Sequence, residues 1–310
     1  MVRPTYFGFN DEAAISNTHQ QRLSDPAATV AARACAEWQA LADLLAASGV
    51  AVLAVDDQPA PHAPDAVFPN NWFSTHRDGT LVLYPMAVAS RRPERRPGLI
   101  ERLQRELRIR RVVDLTACEA AGQYLEGTGS LVLERRGRVA YAARSVRTHD
   151  SVIRRFSAEL GYRAVVFDTT PRGGHPEYHT NVVMAVGESA AVVCLDAIKE
   201  QSAQEQVAAE LRASGHRLIA ISVEQMDAFA GNLLQLRSAD GSLLWVMSSR
   251  AFAAFDENQL RQLGEDARLV HAPLPTIEEV GGGSARCMLA ELFFAAPPAT
   301  ASGVVYRPAF

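Results

Sequence analysis

Four stretches of the chain alternate apolar and polar positions on both sides of a short polar turn. Residues 67–75 and 80–86 flank His76-Arg77-Asp78-Gly79, and residues 130–133 and 138–143 flank Glu134-Arg135-Arg136-Gly137. Residues 181–186 and 190–195 flank Gly187-Glu188-Ser189, and residues 232–236 and 242–247 flank Ser238-Ala239-Asp240-Gly241. Alternation of period two, broken by Gly or Asp-Gly, predicts a β-hairpin. A helical stretch and one more strand follow each hairpin: 97–107 then 111–115, 150–160 then 163–167, 197–213 then 217–221, and 257–263 then 268–271. The unit strand–strand–helix–strand therefore recurs about every 50 to 60 residues, as supersecondary repeats do.

The two ends read as a fifth unit divided by the termini. Residues 303–306 and 2–8 are expected to pair, followed by a helix over 27–48 and a strand over 50–55. Five such units in one chain predict an α/β ring without a free end, forming one domain over residues 1–310, with 295–301 as a short Pro/Ala-rich connector.

Composition narrows the class. Hydrophobic residues make up 48 % and charged residues 21 % of 310, enough apolar surface to exclude a disordered chain. Lys and Arg number 31 against 35 Asp and Glu, a balance of −4, which speaks against a nucleic-acid surface. The opening segment lacks the apolar run of a signal peptide, and the weakly polar stretch 40–55 is interrupted by Asp43 and Ser48, which argues against a membrane span. Cys35, Cys118, Cys194 and Cys287 lie far apart without zinc-type spacing, so free thiols and a cytoplasmic location are expected.

In a radial repeat, the residues just before each first hairpin strand meet at the axis. Those positions hold Asp65 and Asn70-Asn71 in the first unit, Glu126 in the second, His179 and Asn181 in the third, and Asn232 in the fourth. A further run, Gly281-Gly282-Gly283-Ser284-Ala285-Arg286-Cys287, precedes a helix expected over 288–294. A thiol at a helix N-terminus is activated by the dipole and the free N–H groups. With an imidazole and an acid, it makes a nucleophilic site. A buried core thiol is the alternative for Cys287, the role also expected of Cys35 and Cys194, while Cys118 has no argued role. Asp65 and Glu126 could instead serve turns beside Pro and Gly. His175 and His179 could pair on a metal, but Gly173, Gly174 and Pro176 break the helix such a pair needs, so no metal is expected. The Gly127-to-Ser130 and Gly281-to-Ser284 runs match no phosphate-binding pattern. Arg144 and Arg147 are either solvated or anchors for a substrate carboxylate.

Four ordered blocks carry a resemblance: Pro64-Asp65-Ala66-Val67-Phe68-Pro69-Asn70-Asn71-Trp72-Phe73, Glu126-Gly127-Thr128-Gly129-Ser130, His179-Thr180-Asn181, and Gly282-Gly283-Ser284-Ala285-Arg286-Cys287-Met288. Together they resemble the guanidino-group-modifying superfamily of arginine deiminases, dimethylarginine dimethylaminohydrolases and amidinotransferases. Met1-Val2-Arg3-Pro4 and Phe7-Gly8-Phe9-Asn10 point to its citrulline-utilisation hydrolase subgroup. The resemblance covers nearly the whole chain and implies a five-bladed α/β propeller, the pentein fold, built from ββαβ repeats. It implies that Cys287 attacks the central carbon of a guanidinium or ureido group. His179 then protonates the leaving amine and activates water, Glu126 holds the substrate nitrogens and positions His179, and Arg147 grips the substrate carboxylate.

The chain departs from relatives that act on a cationic guanidinium, which carry carboxylates where it has Asn71 and Asn181. An amide suits a neutral ureido oxygen, whereas a buried cation needs fixed negative charge. The sequence therefore favours a cofactor-free cysteine hydrolase converting citrulline to ornithine, carbon dioxide and ammonia, with Asp65, Asn71, Arg147 and Asn181 binding substrate. Arginine deiminase or dimethylarginine hydrolase is the alternative within the class, amidinotransfer a weaker one, and an inactive propeller serving as a binding module the alternative outside it. The expected partner is an amino-acid substrate, with a homodimer allowed and neither nucleic acid nor membrane involved.

Overall fold

A computed structural model describes residues 1–170 and 174–293, together with the backbone of 304–306. The 295–301 connector, Gly173, Phe294 and Gly303 lie outside the described residues. The first two strands, β1 (Val2–Arg3) and β2 (Val52–Asp56), pair in parallel with Val2 beside Val55. Between them runs the helix Ala27–Ala47, which buries Val30, Ala34, Trp38, Leu41 and Leu45 along one stripe at helical spacing.

Four sheets of one plan follow. They are β3 (Phe73–Thr75), β4 (Thr80–Leu83) and β5 (Arg111–Asp114); β6 (Val132–Glu134), β7 (Val139–Ala143) and β8 (Arg163–Phe167); β9 (Met184–Val186), β10 (Ala190–Val193) and β11 (Arg217–Ala220); and β12 (Leu234–Arg237), β13 (Leu243–Ser248) and β14 (Arg268–Ala272). In each, the middle strand pairs antiparallel with the first and parallel with the third. Parallel pairing requires a crossover, and a helix supplies it. In the second unit that helix is Asp150–Leu160; it buries Val152, Ile153, Phe156 and Leu160 and stops at Gly161 in the left-handed conformation. Each such apolar side chain contributes about 1.5–3 kcal/mol on leaving water.

The fifth sheet corrects the expectation for the chain ends. Strand β15 (Val304–Tyr306) runs parallel to β2 along the edge that β1 leaves open, giving the order β1-β2-β15. The two terminal strands therefore do not pair with each other. The central strand β2 has two edges of backbone donors and acceptors to satisfy, and one terminal strand serves each.

Two local departures bear on the site. Single helical turns precede the hairpin strands and take up residues expected to open them (69–71, 130 and 181–183): Pro69–Asn71, Gly127–Ser130 and Thr180–Val183. The predicted helix over 288–294 does not form over the described residues 288–293. That stretch runs without regular structure beside β3, where Thr75 Oγ1 donates to the Glu291 carbonyl and accepts from the Phe293 N–H. Glu291 is also tied to Arg135 at 2.9 Å. These tertiary bonds outweigh the helical preference of Met-Leu-Ala-Glu-Leu. Among the described residues no helix is long and apolar enough to cross a membrane.

Candidate active site

Cys287 lies in a turn, its N–H donated to the Ser284 carbonyl at 2.9 Å and that of Met288 to Ala285 at 3.2 Å. With no helix behind it, the dipole expected to activate the thiol is absent. Two carboxamides stand in its place. Asn181 Nδ2 lies 3.4 Å from Cys287 Sγ and Asn232 Nδ2 3.3 Å. Asn181 comes from the helical turn before β9 and Asn232 from the turn before β12. Both donate N–H groups, which a thiolate accepts far better than a thiol.

His179 and Glu126 enter from the adjoining units, and their side chains meet at 2.9 Å through His179 Nε2 and Glu126 Oε2. Both are buried. Burial drives the imidazole pKa down to about 4 despite the opposing pull of Glu126. Burial would raise the Glu126 carboxyl, but Arg147, the His179 hydrogen bond and Arg91 outweigh it and hold the acid well below the usual carboxylate range. At neutral pH the pair is thus a carboxylate accepting Nε2–H of a neutral imidazole, with Nδ1 free to take a proton. Gly129 makes this packing possible, because a Cβ there would lie 2.5 Å from Asn71 Nδ2 and 2.6 Å from His179 Nδ1.

Cys287, His179, Asp65, Asn71, Arg91 and Arg147 line one cavity of about 240 Å³, closed by Tyr178, Phe68, Asn17, Gly281 and Gly283. All seven residues singled out from the sequence are buried; five line this space, Asn181 reaches the Cys287 sulfur from outside it, and Glu126 supports His179 and Arg147 from behind. Arg147 donates to Glu126 at 3.3 Å, to Ser16 Oγ and to the Ala13 carbonyl at 2.8 Å, with its guanidinium over the Tyr178 ring. Asn71 is held at both ends of its amide, accepting from Arg91 at 2.8 Å and donating to Asn70 at 3.1 Å. His175, by contrast, is exposed and away from His179's partner, and among the described residues no group of three or more His, Cys, Asp or Glu could hold a metal ion.

Two groups carried no mark in the sequence reading. Arg91 and Glu94 form a buried bidentate pair at 2.7 and 3.0 Å, with Asp65 3.8 Å from Arg91. Burial raises both acids, Glu94 to about 7; Arg91 opposes this, while nearby carboxylates add to it. They sit in a 3₁₀ turn, Ala89–Glu94, that looks like an ordinary charged loop in sequence. Asn232 did carry a signal, since it opens its unit as Asn181 opens the one before.

Comparison with known proteins gives the same picture. The family described as N,N-dimethylarginine dimethylhydrolase, eukaryotic, matches residues 3–294. No curated protein matches the chain. The N-terminal domain of ArgZ, a cyanobacterial arginine dihydrolase solved with bound substrate, superposes with a TM-score of 0.72 at 17 % identity, over 95 % of this chain and 97 % of that one. The complex of AgrE with ornithine and NAD+ gives 0.71 at 19 %, over 96 % and 39 %. A dimethylarginine dimethylaminohydrolase bearing an S-methyl-L-thiocitrulline adduct gives 0.60 at 17 %, over 83 % and 88 %. Of the longer ArgZ chain, the present one spans 40 %. The chain belongs to the N,N-dimethylarginine dimethylhydrolase family.

Proposed function

We propose that this chain hydrolyses the guanidinium group of a free arginine-type amino acid, with Cys287 as the nucleophile. The observation that carries this is the charge around the cavity. Three buried carboxylates, Asp65, Glu94 and Glu126, face two guanidinium groups, Arg91 and Arg147, beside a neutral imidazole. With Glu94 only partly ionised and the Cys287 thiolate added, the groups in and behind the cavity carry net negative charge, which a cationic substrate neutralises and a neutral ureido group does not. Of the asparagines that favoured citrulline, Asn71 is engaged at both ends of its amide, with Arg91 and Asn70, and Asn181 turns its Nδ2 to the sulfur. Arginine or a methylated arginine therefore suits the site better than citrulline.

In this reading Cys287 gives its proton to Nδ1 of His179 and the thiolate attacks the guanidinium carbon; the tetrahedral adduct collapses as His179 delivers that proton to the departing amine. The resulting thiouronium is attacked by water that has passed its proton to His179, which releases citrulline and the free thiol. A second round on citrulline would yield ornithine, carbon dioxide and ammonia. Asp65, Asn71, Arg147 and Asn181 form the walls that orient the substrate. We further infer that the five sheets are blades of one closed propeller spanning residues 1–310. In support, β2 takes strands from both chain ends, and all four internal units deliver a side chain to the site or its sulfur.

The test offers arginine, N,N-dimethylarginine and citrulline in parallel and measures ammonia, dimethylamine, citrulline and ornithine. Turnover of a guanidino substrate that disappears in Cys287→Ala is expected. Turnover of citrulline alone would restore the ureido reading, and activity surviving in Cys287→Ala would refute the nucleophile.

A further inference from the structure

We propose that Asn232 is a catalytic residue that holds Cys287 as its thiolate through a neutral amide N–H; the inference deepens the cysteine-hydrolase reading and rests on it. Asn232 is fully buried, and its amide cannot turn over. Its Oδ1 accepts from the Arg286 N–H at 3.0 Å, and its Nδ2 donates to the Asn181 carbonyl at 3.0 Å. Reversing the amide would set oxygen against oxygen and N–H against N–H. The second Nδ2 hydrogen is thereby aimed at Cys287 Sγ, 3.3 Å away, while Oδ1 is 3.8 Å from the sulfur. The nearer atom is the donor, so the contact favours sulfur without its proton.

The backbone is built to bring this residue in. A Cβ on the preceding Gly231 would lie 2.1 Å from the Val182 carbonyl oxygen, so only glycine lets the two units approach this closely. The ionisable groups facing the sulfur are His179, Tyr178 and Arg286, with Asp65, Arg91 and Arg147 across the cavity. Changing Asn232 replaces none of them; Asn232→Ala does remove the acceptor of the Arg286 N–H, which Asn232→Asp retains.

The experiment is the pH dependence of Cys287 alkylation by iodoacetamide, in which the thiolate forms an S–C bond as iodide leaves. Peptide mass spectrometry separates Cys287 from Cys35, Cys118 and Cys194. Asn232→Ser and Asn232→Ala should move the alkylation midpoint up by about one pH unit, a tenfold change in the thiol's dissociation constant. Asn232→Asp, equal in shape but without the donor, should move it further. Circular dichroism melting identifies any variant that fails to fold, and Asn232→Ser makes the smallest change. Coincident midpoints in the folded variants would overturn the proposal, as would an Asn232→Asp midpoint equal to that of the unaltered protein. The assay needs no substrate, so its outcome is separate from whether guanidino compounds are turned over.

Discussion

Replacing Glu126 by Gln removes one charge and almost no volume from the middle of the site. Glu126 is fully buried and accepts from His179 at 2.9 Å, from Arg147 at 3.3 Å and from the Ala87 N–H at 3.0 Å. Without it, Arg147 stays buried with only the neutral Ser16 hydroxyl and Ala13 carbonyl as partners. Breaking a buried ion pair by losing one member costs about 3–5 kcal/mol. The two neutral acceptors that remain place Glu126→Gln at the lower end, about 3 kcal/mol. For a chain somewhat larger than 250 residues that corresponds to a drop of about 6 °C in thermal midpoint. Turnover should fall by about 10³–10⁴-fold, the scale seen when a buried carboxylate behind a catalytic histidine becomes an amide. The double variant Glu126→Gln/Arg147→Met separates the two effects. With both charges gone it should regain most of the lost stability but none of the activity. Melts by calorimetry and ammonia release on the same samples read both quantities. A single variant within about 1 kcal/mol of the unaltered protein, or a double variant no more stable than the single, would refute the argument.

Two further outcomes follow from the same geometry. Gly129→Ala places a Cβ 2.5 Å from Asn71 Nδ2 and 2.6 Å from His179 Nδ1, and the displaced imidazole should cost about 10²-fold in turnover; activity within threefold (roughly 0.7 kcal/mol) of normal would show that the ring has room to move. With Glu94 at about 7 and half protonated at neutral pH, an arriving cation favours its carboxylate and lowers its pKa, so binding of arginine to the Cys287→Ala protein should release protons near pH 7. Calorimetry in buffers of different ionisation heat measures this release, which should vanish below about pH 5 and above about pH 9, where Glu94 has one protonation state throughout; proton uptake, or equal release with citrulline, would contradict the charge count.

The repeat was legible because each hairpin writes its own signature: alternation on both sides of a Gly or Asp-Gly turn depends on neighbours in sequence. Four internal sheets emerged with the expected strands, and Cys287, His179, Asp65, Asn71 and Arg147 gathered around one cavity, with Asn181 against the sulfur and Glu126 behind His179. What failed depended on partners distant in sequence. Residues 288–293 have helical composition, yet bonds to Thr75 and Arg135 keep them irregular. The pairing of β15 with β2 joins segments some 250 residues apart in number, beyond any local pattern. Arg91 and Glu94 carried no mark in the sequence because only their burial makes them part of the site. The asparagines at 71 and 181 were noticed for their missing charge, but their amides are bonded to Arg91 and to the sulfur.

The side chains around the cysteine come from Asp65, Glu126, His179, Asn232 and Cys287, spread over most of the sequence and each held by a different stretch of chain. No contiguous half of the molecule contains a working set. A cut in the turn at residues 144–149 would leave one fragment with the acid and the other with the imidazole and the thiol. Each fragment alone would be inert, and a mixture would recover activity only as the two pieces reassemble. Catalysis here reports the integrity of the whole fold, and a lightly damaged population should lose activity in proportion to the molecules that have come apart.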